Sequence, residues 1–214
     1  MSRDDFLARH AQQWISQWQA ITGQPGDPAL RDALLARYSE PHRHYHTLQH
    51  LDACLRHCVL LCAQADHPHE ITLALWFHDA IYDIGAPDNE LRSADWARDA
   101  LLHAGADARA AQRVHDLIAA TRHDTAPQSR DQEILLDADL AILGASSAVF
   151  DAYEQQIHAE YHAVPQATRR VTRRRILQGF LDRPRIYHTA LFQQQREAQA
   201  RANLARSIAA LAAD

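Results

Sequence analysis

Several residue types and patterns are scarce in this sequence. Its 214 residues contain no lysine, so arginine supplies the strong positive charge, and the formal net charge is -5 with a pI of about 6.3. A mildly acidic chain has no general electrostatic attraction to nucleic acid or to anionic membranes. No apolar run approaches the roughly 18 residues of a membrane-spanning helix, and no apolar signal-peptide segment is visible. We therefore expect a cytoplasmic protein that binds neither nucleic acid nor membranes.

Cysteine is also scarce. The three cysteines, Cys54, Cys58 and Cys62, are an odd number within one predicted helix, which argues against a disulfide framework. Each step of four residues drifts by about 40° around a helix, so Cys62 lies about 120° from His50 and these side chains cannot all face one ion. We interpret the cysteines as small buried hydrophobic residues that stay reduced.

The alternation of apolar and polar residues that is typical of strands is absent as well. Apolar residues recur at helical spacing along almost the whole chain, and glycine and proline separate the segments. The sequence predicts an all-α helical bundle of about eight to ten helices in one domain over residues 1–214. A terminal helix is predicted from Pro184 onward, with packing or contacts in a homo-oligomer as its role.

Three predicted helices carry the candidate functional residues. The first runs from about Thr47 to Ala65. The second opens at Pro68 and ends around residues 83–87. The third runs from Ser129 or Arg130 to Gly144, a glycine suited to end a helix in the left-handed conformation.

Histidine is abundant, with 15 residues, and two histidines join two aspartates in the strongest candidate site. His78 and Asp79 follow the apolar segment 73–77, and Asp139 lies within another apolar segment. A carboxylate is costly to bury there without a partner, and a metal ion would compensate. With His50, these side chains form a mixed nitrogen and oxygen ligand set suited to Mn, Fe, Co, Zn or, less readily, Mg. The sequence predicts one divalent metal ion per chain.

Each part of this pattern also has a simpler interpretation. A His-Asp pair occurs by chance in many proteins, and a buried histidine is more often a satisfied core residue than a ligand. A single aspartate in a helix is usually exposed or caps a neighbouring turn. The joint pattern is more specific than its parts and favours the metal site.

The order His50, His78-Asp79, Asp139 resembles that of the HD superfamily of metal-dependent phosphohydrolases. Over about residues 40–190 the chain looks like a bacterial group of that superfamily. The matching stretches are Arg43–His50, Trp76–Asp83, Asp88–Glu90, Leu136–Leu140 and Arg185–Thr189. The resemblance implies a helical bundle in which His50, His78, Asp79 and Asp139 bind the metal. It also implies hydrolysis of a phosphate ester or anhydride in a small phosphorylated substrate such as a nucleotide.

The segment from Tyr45 to His50 is similar to the Tyr-His-Asn-x-x-His segment of cyclic-nucleotide phosphodiesterases. There the second histidine binds metal and the first protonates the leaving oxygen, which implies that His46 is a general acid. The spacing of four residues would place His46 on one helix face with His50. Thr47 stands where that segment has asparagine, and Tyr82 stands where many two-metal HD enzymes have a further ligand, which favours one metal.

Five further residues have both a structural and a functional interpretation. Asp83 and Glu90 could orient water, whereas Glu90 could equally stabilise a helix start. Arg122 and His123 could bind the substrate phosphate, or His123 could meet a helix C-terminus. Arg174 could grip phosphate through its guanidinium, or it could belong to a solvated helix face.

A second class of function fits the same residues. The chain could be a non-catalytic, metal- or nucleotide-binding regulatory HD protein. A metal-dependent oxygenase on a similar helical scaffold would need a two-iron ligand set, against which Tyr82 argues. Release of phosphate from nucleotides only in the presence of metal would separate the hydrolase from the regulatory protein.

Overall fold

The computed structural model describes residues 1–213, which form helices and connecting turns without a strand, and this confirms the predicted all-α fold. None of the described helices has both the length and the apolar character needed to cross a bilayer. Short 3-10 turns continue α3, α6 and α7. The ten α-helices are α1 (Arg3–Thr22), α2 (Pro28–Arg37), α3 (Leu48–Leu61), α4 (Pro68–Phe77), α5 (Asn89–His103), α6 (Ala108–Ala119), α7 (Arg130–Asp139), α8 (Ser147–Glu160), α9 (Gln166–Leu181) and α10 (Ala190–Ala213).

Local sequence signals set several helix ends. Ser2 and Asp5 form a capping box at the start of α1, and Gly23 ends that helix with a positive φ of 69°. Asp27 and Asp107 accept hydrogen bonds from the first free backbone N–H groups of α2 and α6. These ends agree with the breaks that the sequence predicts.

The end of α4 differs from its prediction. The helix stops at Phe77 rather than around residues 83–87, and His78 is its C-cap residue. The backbone N–H of Ala80 donates to the carbonyl of Phe77, which closes a turn instead of a further helical turn. His78 and Asp79 therefore lie where a buried helix ends, and this frees both side chains from the helical repeat.

The start of α10 also differs from its prediction. The helix begins at Ala190 rather than Pro184. The carboxylate of Glu197 accepts hydrogen bonds from the backbone N–H groups of Ile186 and Tyr187, at 3.0 to 3.1 Å. An acidic side chain of α10 thus satisfies N–H groups that a longer helix would have used itself.

Gly144 does not have the left-handed conformation that the sequence predicts for it. It ends a 3-10 turn, and the positive-φ glycines are three others. A Cβ at this position would lie 2.6 Å from Cβ of Arg196 and 2.9 Å from the hydroxyl of Tyr187. Close approach of α10, rather than backbone conformation, explains this glycine.

The chain divides into two compact units, of which the first covers Met1–Ala138. In this unit α4 is buried on all sides, from Glu70 to Phe77. Trp76 contacts Phe6 and Trp14 of α1 edge to face, with ring centroids 5.3 and 5.0 Å apart. This packing places the end of α4, and with it His78, in the interior of the unit.

The second unit begins at the next residue and is built around α10. In it α10 packs against α9 and against the 3-10 turn that follows α7. Phe192 and Leu204 are fully buried, and Asn203 donates to the carbonyls of Leu143 and Ala145. Packing is therefore a role of the terminal helix, whereas the single domain over residues 1–214 stays a prediction.

Asp131, in the first turn of α7, connects the starts of two helices. Its carboxylate accepts hydrogen bonds from the backbone N–H groups of Asp66 and His67, at 2.8 and 3.0 Å, and contacts Nδ1 of the His67 ring at 3.0 Å. N–H groups at a helix start lack partners within the helix. A residue distant in the sequence therefore completes the start of α4.

Candidate metal centre

Three predicted ligands converge in the first unit. Nε2 of His50 lies 3.1 Å from Nε2 of His78, and Oδ2 of Asp79 lies 3.3 and 3.1 Å from these two atoms. The side chains of His50 and His78 are 3% and 1% exposed, and that of Asp79 is 15% exposed. Two imidazole nitrogens and one carboxylate oxygen thus form a nearly equilateral triangle at a buried position that retains an opening to solvent.

The orientation of the His78 ring is fixed by a backbone group. Its Nδ1 lies 2.7 Å from the carbonyl oxygen of Leu75, one turn back in α4. A carbonyl oxygen only accepts, so Nδ1 carries the proton and donates. In the protonated ring Nε2 donates to Asp79, and in the neutral ring the same atom carries the lone pair that a metal would bind. A ring N–H bound to a carbonyl is the usual support for a metal-binding imidazole.

The spacing of the triangle fits a metal ion. Ligand atoms about 2.1 Å from an ion are separated by about 3.0 Å at right angles and about 3.4 Å at the tetrahedral angle. The three observed separations, 3.1, 3.1 and 3.3 Å, fall between these values. The donor set, two neutral imidazoles and a carboxylate, suits a borderline transition metal.

Cys54 belongs, with His50 and His78, to a group of side chains that could hold a metal ion. Cys54 is buried, and its Sγ lies 3.6 Å from Nε2 of His50. His50, Cys54 and His78 each offer a ligand atom within 4.8 Å of the others. Asp139, the half-buried last residue of α7, is the first residue of the second unit, and its role as a metal ligand stays a prediction.

Asp79 is held in its ionised form. Burial raises the pKa of its carboxyl, but the positive charge of His78 and His46 and hydrogen bonds from His50 and His78 outweigh burial. Together they keep the pKa of Asp79 well below its usual value of 3.8. The carboxylate needed for a metal ligand is therefore the stable form of this side chain.

Side chains, rather than a backbone ladder, hold the turn after α4. The hydroxyl of Tyr38 accepts a hydrogen bond from the backbone N–H of Asp79, and burial raises the pKa of Tyr38 to about 12. Oγ of Ser93 accepts from the N–H of Ile81. The amide of Asn89 bonds both the N–H and the carbonyl of Asp83. These bonds fix the backbone that carries Asp79.

The buried guanidinium of Arg43 clamps the same turn. Its side chain is 0% exposed and pairs with Glu40. The guanidinium donates to the carbonyls of Asp79 and Ala80, at 2.6 and 3.3 Å, and to the carbonyl of His46 at 3.3 Å. Arg43 therefore ties the loop before α3 to the turn after α4, although the sequence gives no sign of this role.

His46 lies in the turn before α3 rather than on the helix. Thr47 is the N-cap residue and accepts from the N–H of Gln49, so the helical spacing predicted for His46 and His50 is wrong. The two rings are nevertheless neighbours, with centroids 5.7 Å apart, and His46 packs on the ring of Tyr82 at 4.1 Å. The structure brings His46 beside the triangle by a turn, not by a shared helix face.

Glu90 is an electrostatic neighbour of Asp79, and Arg122 and His123 are electrostatic neighbours of Glu90. Burial raises the pKa of the half-buried Glu90, and the charge of Asp79 raises it further, whereas His123 and Arg122 lower it. His123 has a positive φ of 56°, which among the described residues is shared only with glycines. Non-glycine residues in this conformation are enriched at functional sites. Glu90 thus lies near Asp79, and substrate binding by Arg122 and His123 stays a prediction.

Asp83 and Arg174 lie in settings that have structural explanations. The Asp83 carboxylate is exposed and pairs with Arg92 at 2.7 Å, which lowers the pKa of Asp83. Arg174 is exposed on α9 in the second unit. Nearby on that helix, Arg173 pairs with Glu154 and Arg170 donates to the carbonyl of Leu211. A catalytic Asp83 and a substrate-binding Arg174 stay predictions.

The first unit also has a concavity away from the triangle. It has a volume of about 430 Å³ and is lined by Trp18, Pro25, Leu30 and Trp96, among others. None of the triangle residues lines it. The converging ligands, rather than this depression, define the candidate site.

No protein-family model, no curated protein and no solved structure matches the chain in comparisons with known proteins. The fold and the ligand triangle define an all-helical protein with a candidate metal centre. The resemblance to the HD superfamily depends on the residue pattern alone and enters below as a proposal.

Proposed function

We propose that this protein is a metal-dependent hydrolase of the HD superfamily that cleaves a phosphate ester or anhydride in a nucleotide or related small molecule. The observation that carries the proposal is the convergence of His50, His78 and Asp79, with Nε2 of His78 close to the other two ligand atoms. A carboxylate and two imidazoles in a buried position are the groups that such chemistry requires.

In this proposal the metal ligands are His50, His78, Asp79 and Asp139. A divalent ion held there would neutralise charge on the phosphoryl oxygens and lower the pKa of water. The support in the chain is the fixed tautomer of His78 and the ionised state of Asp79. Arg43 and Tyr38 orient Asp79 through its backbone, so the ligand does not have to be organised on binding.

The remaining side chains have distinct roles in the proposal. His46, beside His50, donates a proton to the leaving oxygen. Glu90, whose pKa is raised by burial, accepts a proton from water or orients it together with Asp79. Arg122 and His123 bind the substrate phosphate, because a cationic group beside a ligand triangle favours a phosphorylated substrate.

The metal centre is tested first by elemental analysis of the purified protein. We expect about one equivalent of a divalent transition metal in the wild type and its loss in His78→Ala. The matched control is His103→Ala, which removes an exposed histidine at the end of α5. Absence of metal from the wild type, even after Mn or Co is supplied, would contradict the proposal.

The reaction is tested with a panel of nucleoside mono-, di- and triphosphates and cyclic nucleotides. We expect release of phosphate or cleavage of the ester with metal present, and no turnover with a chelator or in His78→Ala. Metal binding without turnover of any phosphorylated compound would favour the regulatory alternative. Turnover that persists in the chelator would contradict the metal-dependent mechanism.

A further inference from the structure

Cys54 is a ligand-type side chain in contact with His50. It lies one turn after His50 in α3 and is 1% exposed. Its Sγ is 3.6 Å from Nε2 and 3.7 Å from Nδ1 of His50. Its ligand atom is also within 4.8 Å of that of His78. The thiol therefore borders the same buried position as the two imidazoles.

The separation of sulfur from nitrogen fits shared coordination. A metal with bonds of about 2.3 Å to sulfur and about 2.1 Å to nitrogen places these atoms about 3.1 Å apart at right angles and about 3.6 Å apart at the tetrahedral angle. The observed 3.6 Å between Sγ of Cys54 and Nε2 of His50 lies within this range. Sγ lies almost equally far from Nδ1 of His50, at 3.7 Å, so a rotation of the Cys54 side chain, without a change of the α3 backbone, would bring it to an ion bound at Nε2.

We propose that Cys54 is a direct ligand of the metal at this centre, as a thiolate. Coordination replaces the S–H bond by a metal–sulfur bond and releases the proton to solvent. A thiolate ligand favours Zn²⁺, Co²⁺ or Fe²⁺ over Mg²⁺. This inference rests on the metal centre of the proposed function and not on the phosphohydrolase reaction.

The other two cysteines provide internal controls. Sγ of Cys58 lies 2.8 Å from Sγ of Cys62 and 3.7 Å from Oγ1 of Thr72. These thiols contact each other and a hydroxyl, whereas Cys54 contacts an imidazole. Substitutions at Cys58 and Cys62 therefore remove thiols of the same helix without removing the proposed ligand.

The test is titration of the full-length, metal-free protein with Co²⁺, followed by optical absorption. Visible bands report Co²⁺ bound at a low-symmetry site, and a near-ultraviolet charge-transfer band reports a cobalt–thiolate bond. We expect both in the wild type and in the double variant Cys58→Ala/Cys62→Ser. Cys54→Ser should lose the charge-transfer band, keep visible bands, and bind Zn²⁺ at least about tenfold more weakly, because even outer-shell substitutions cost that much.

The outcomes separate the two proposals. Visible bands without a charge-transfer band in the wild type would overturn the Cys54 ligand and leave the metal centre standing. A charge-transfer band that disappears in the double variant but persists in Cys54→Ser would also overturn it. No cobalt bands in any variant would overturn the metal centre itself. Because the wild-type spectrum alone tests the thiolate bond, failure of Cys54→Ser to fold would not remove the test.

Discussion

The carboxylates of Asp79 and Asp52, both in the first unit, contact similar partners, but these partners are arranged differently around them. Each contacts histidine, and both have a pKa below the usual value even though burial opposes ionisation. Asp52 accepts from His10 at 2.9 Å and from Arg9 at 3.2 Å. Asp79 instead meets two imidazoles, whose Nε2 atoms also approach each other.

The difference lies in how many imidazole nitrogens meet at the carboxylate. At Asp52 the guanidinium of Arg9 and the ring of His10 direct N–H groups at the carboxylate, which produces an ordinary ion pair. At Asp79 the guanidinium of Arg43 binds backbone carbonyls and leaves the carboxylate to the imidazoles. A buried aspartate beside histidine is thus a candidate metal ligand only where ring nitrogens and carboxylate oxygens converge.

The two clusters share one helix. His50 and Asp52 are both buried residues of α3, two positions apart. Residues at this spacing are rotated by about 200° around a helix, so they face opposite sides. One side of α3 thus faces the ligand triangle, and the other side is fastened to α1 by Asp52 and His10.

The largest expected effect is loss of the metal from Asp79→Asn. Removal of the carboxylate charge takes one vertex from the triangle, and we expect metal affinity to fall more than about 100-fold and turnover to disappear. Asp52→Asn, the matched variant, should keep its full equivalent of metal. Equilibrium dialysis with Zn²⁺ measures both, and equal losses in the two variants would show that the clusters do not differ as described.

The next largest effect is expected at Arg43. Arg43→Met leaves Glu40 and three carbonyls without the buried guanidinium, and it should lower the free energy of unfolding by about 3 kcal/mol. Arg9→Met should cost less than about 1 kcal/mol, because the Arg9 side chain is 54% exposed. Urea unfolding compares the two, and a smaller cost at Arg43 than at Arg9 would argue against the clamp.

A smaller effect is expected for Tyr38→Phe. The substitution leaves the backbone N–H of Asp79 without its acceptor, so we expect a loss of about 1 to 2 kcal/mol of stability. Metal affinity should fall about tenfold, since Tyr38 positions a ligand. Tyr153→Phe removes a hydroxyl that accepts from Arg173 in the second unit and should leave metal affinity unchanged. A Tyr38→Phe protein with wild-type affinity would remove Tyr38 from the supporting groups.

The smallest effect is expected for the stability of Asp52→Asn. An amide keeps one acceptor for His10 and Arg9 but loses the charge, which should cost about 1 kcal/mol. Saturating Zn²⁺, at about 100 times its Kd, should then stabilise wild type and Asp52→Asn by the same amount, about 2.7 kcal/mol. Thermal unfolding with and without Zn²⁺ measures this, and a response that differs between the two would connect the clusters.

The sequence reveals His78 and Asp79 because the residues before them are apolar, whereas His50 is predicted from the joint pattern with them. His78 and Asp79 follow an unbroken hydrophobic segment, and polar groups there require a partner. The same reasoning predicts the all-α fold, since the helical period persists along the chain. The ends of helices are harder to predict from the sequence, because side chains distant in sequence, such as Glu197, can accept hydrogen bonds from the backbone N–H groups there.

The sequence does not reveal Arg43, which acts through backbone carbonyls, or Cys54, which has the periodicity of an apolar core residue. Arg43 binds carbonyls, and no residue pattern records which carbonyls a guanidinium will reach. Cys54 is indistinguishable from a small hydrophobic residue by periodicity, and its contact with His50 depends on the rotamers of both side chains. The spacing of four residues between them is the one signal that could have singled it out.

The hydrogen bonds that Asp131 accepts from Asp66 and His67 hold the start of α4 beside the first turn of α7. Both α4 and α7 contain ten residues, and each carries a candidate ligand at its far end, His78 after α4 and Asp139 as the last residue of α7. Each residue of a helix adds about 1.5 Å and about 100° of rotation. Deletion of one residue from α4 would therefore turn His78 away while leaving the anchor intact, so the length of α4, as much as its composition, determines where this candidate ligand points.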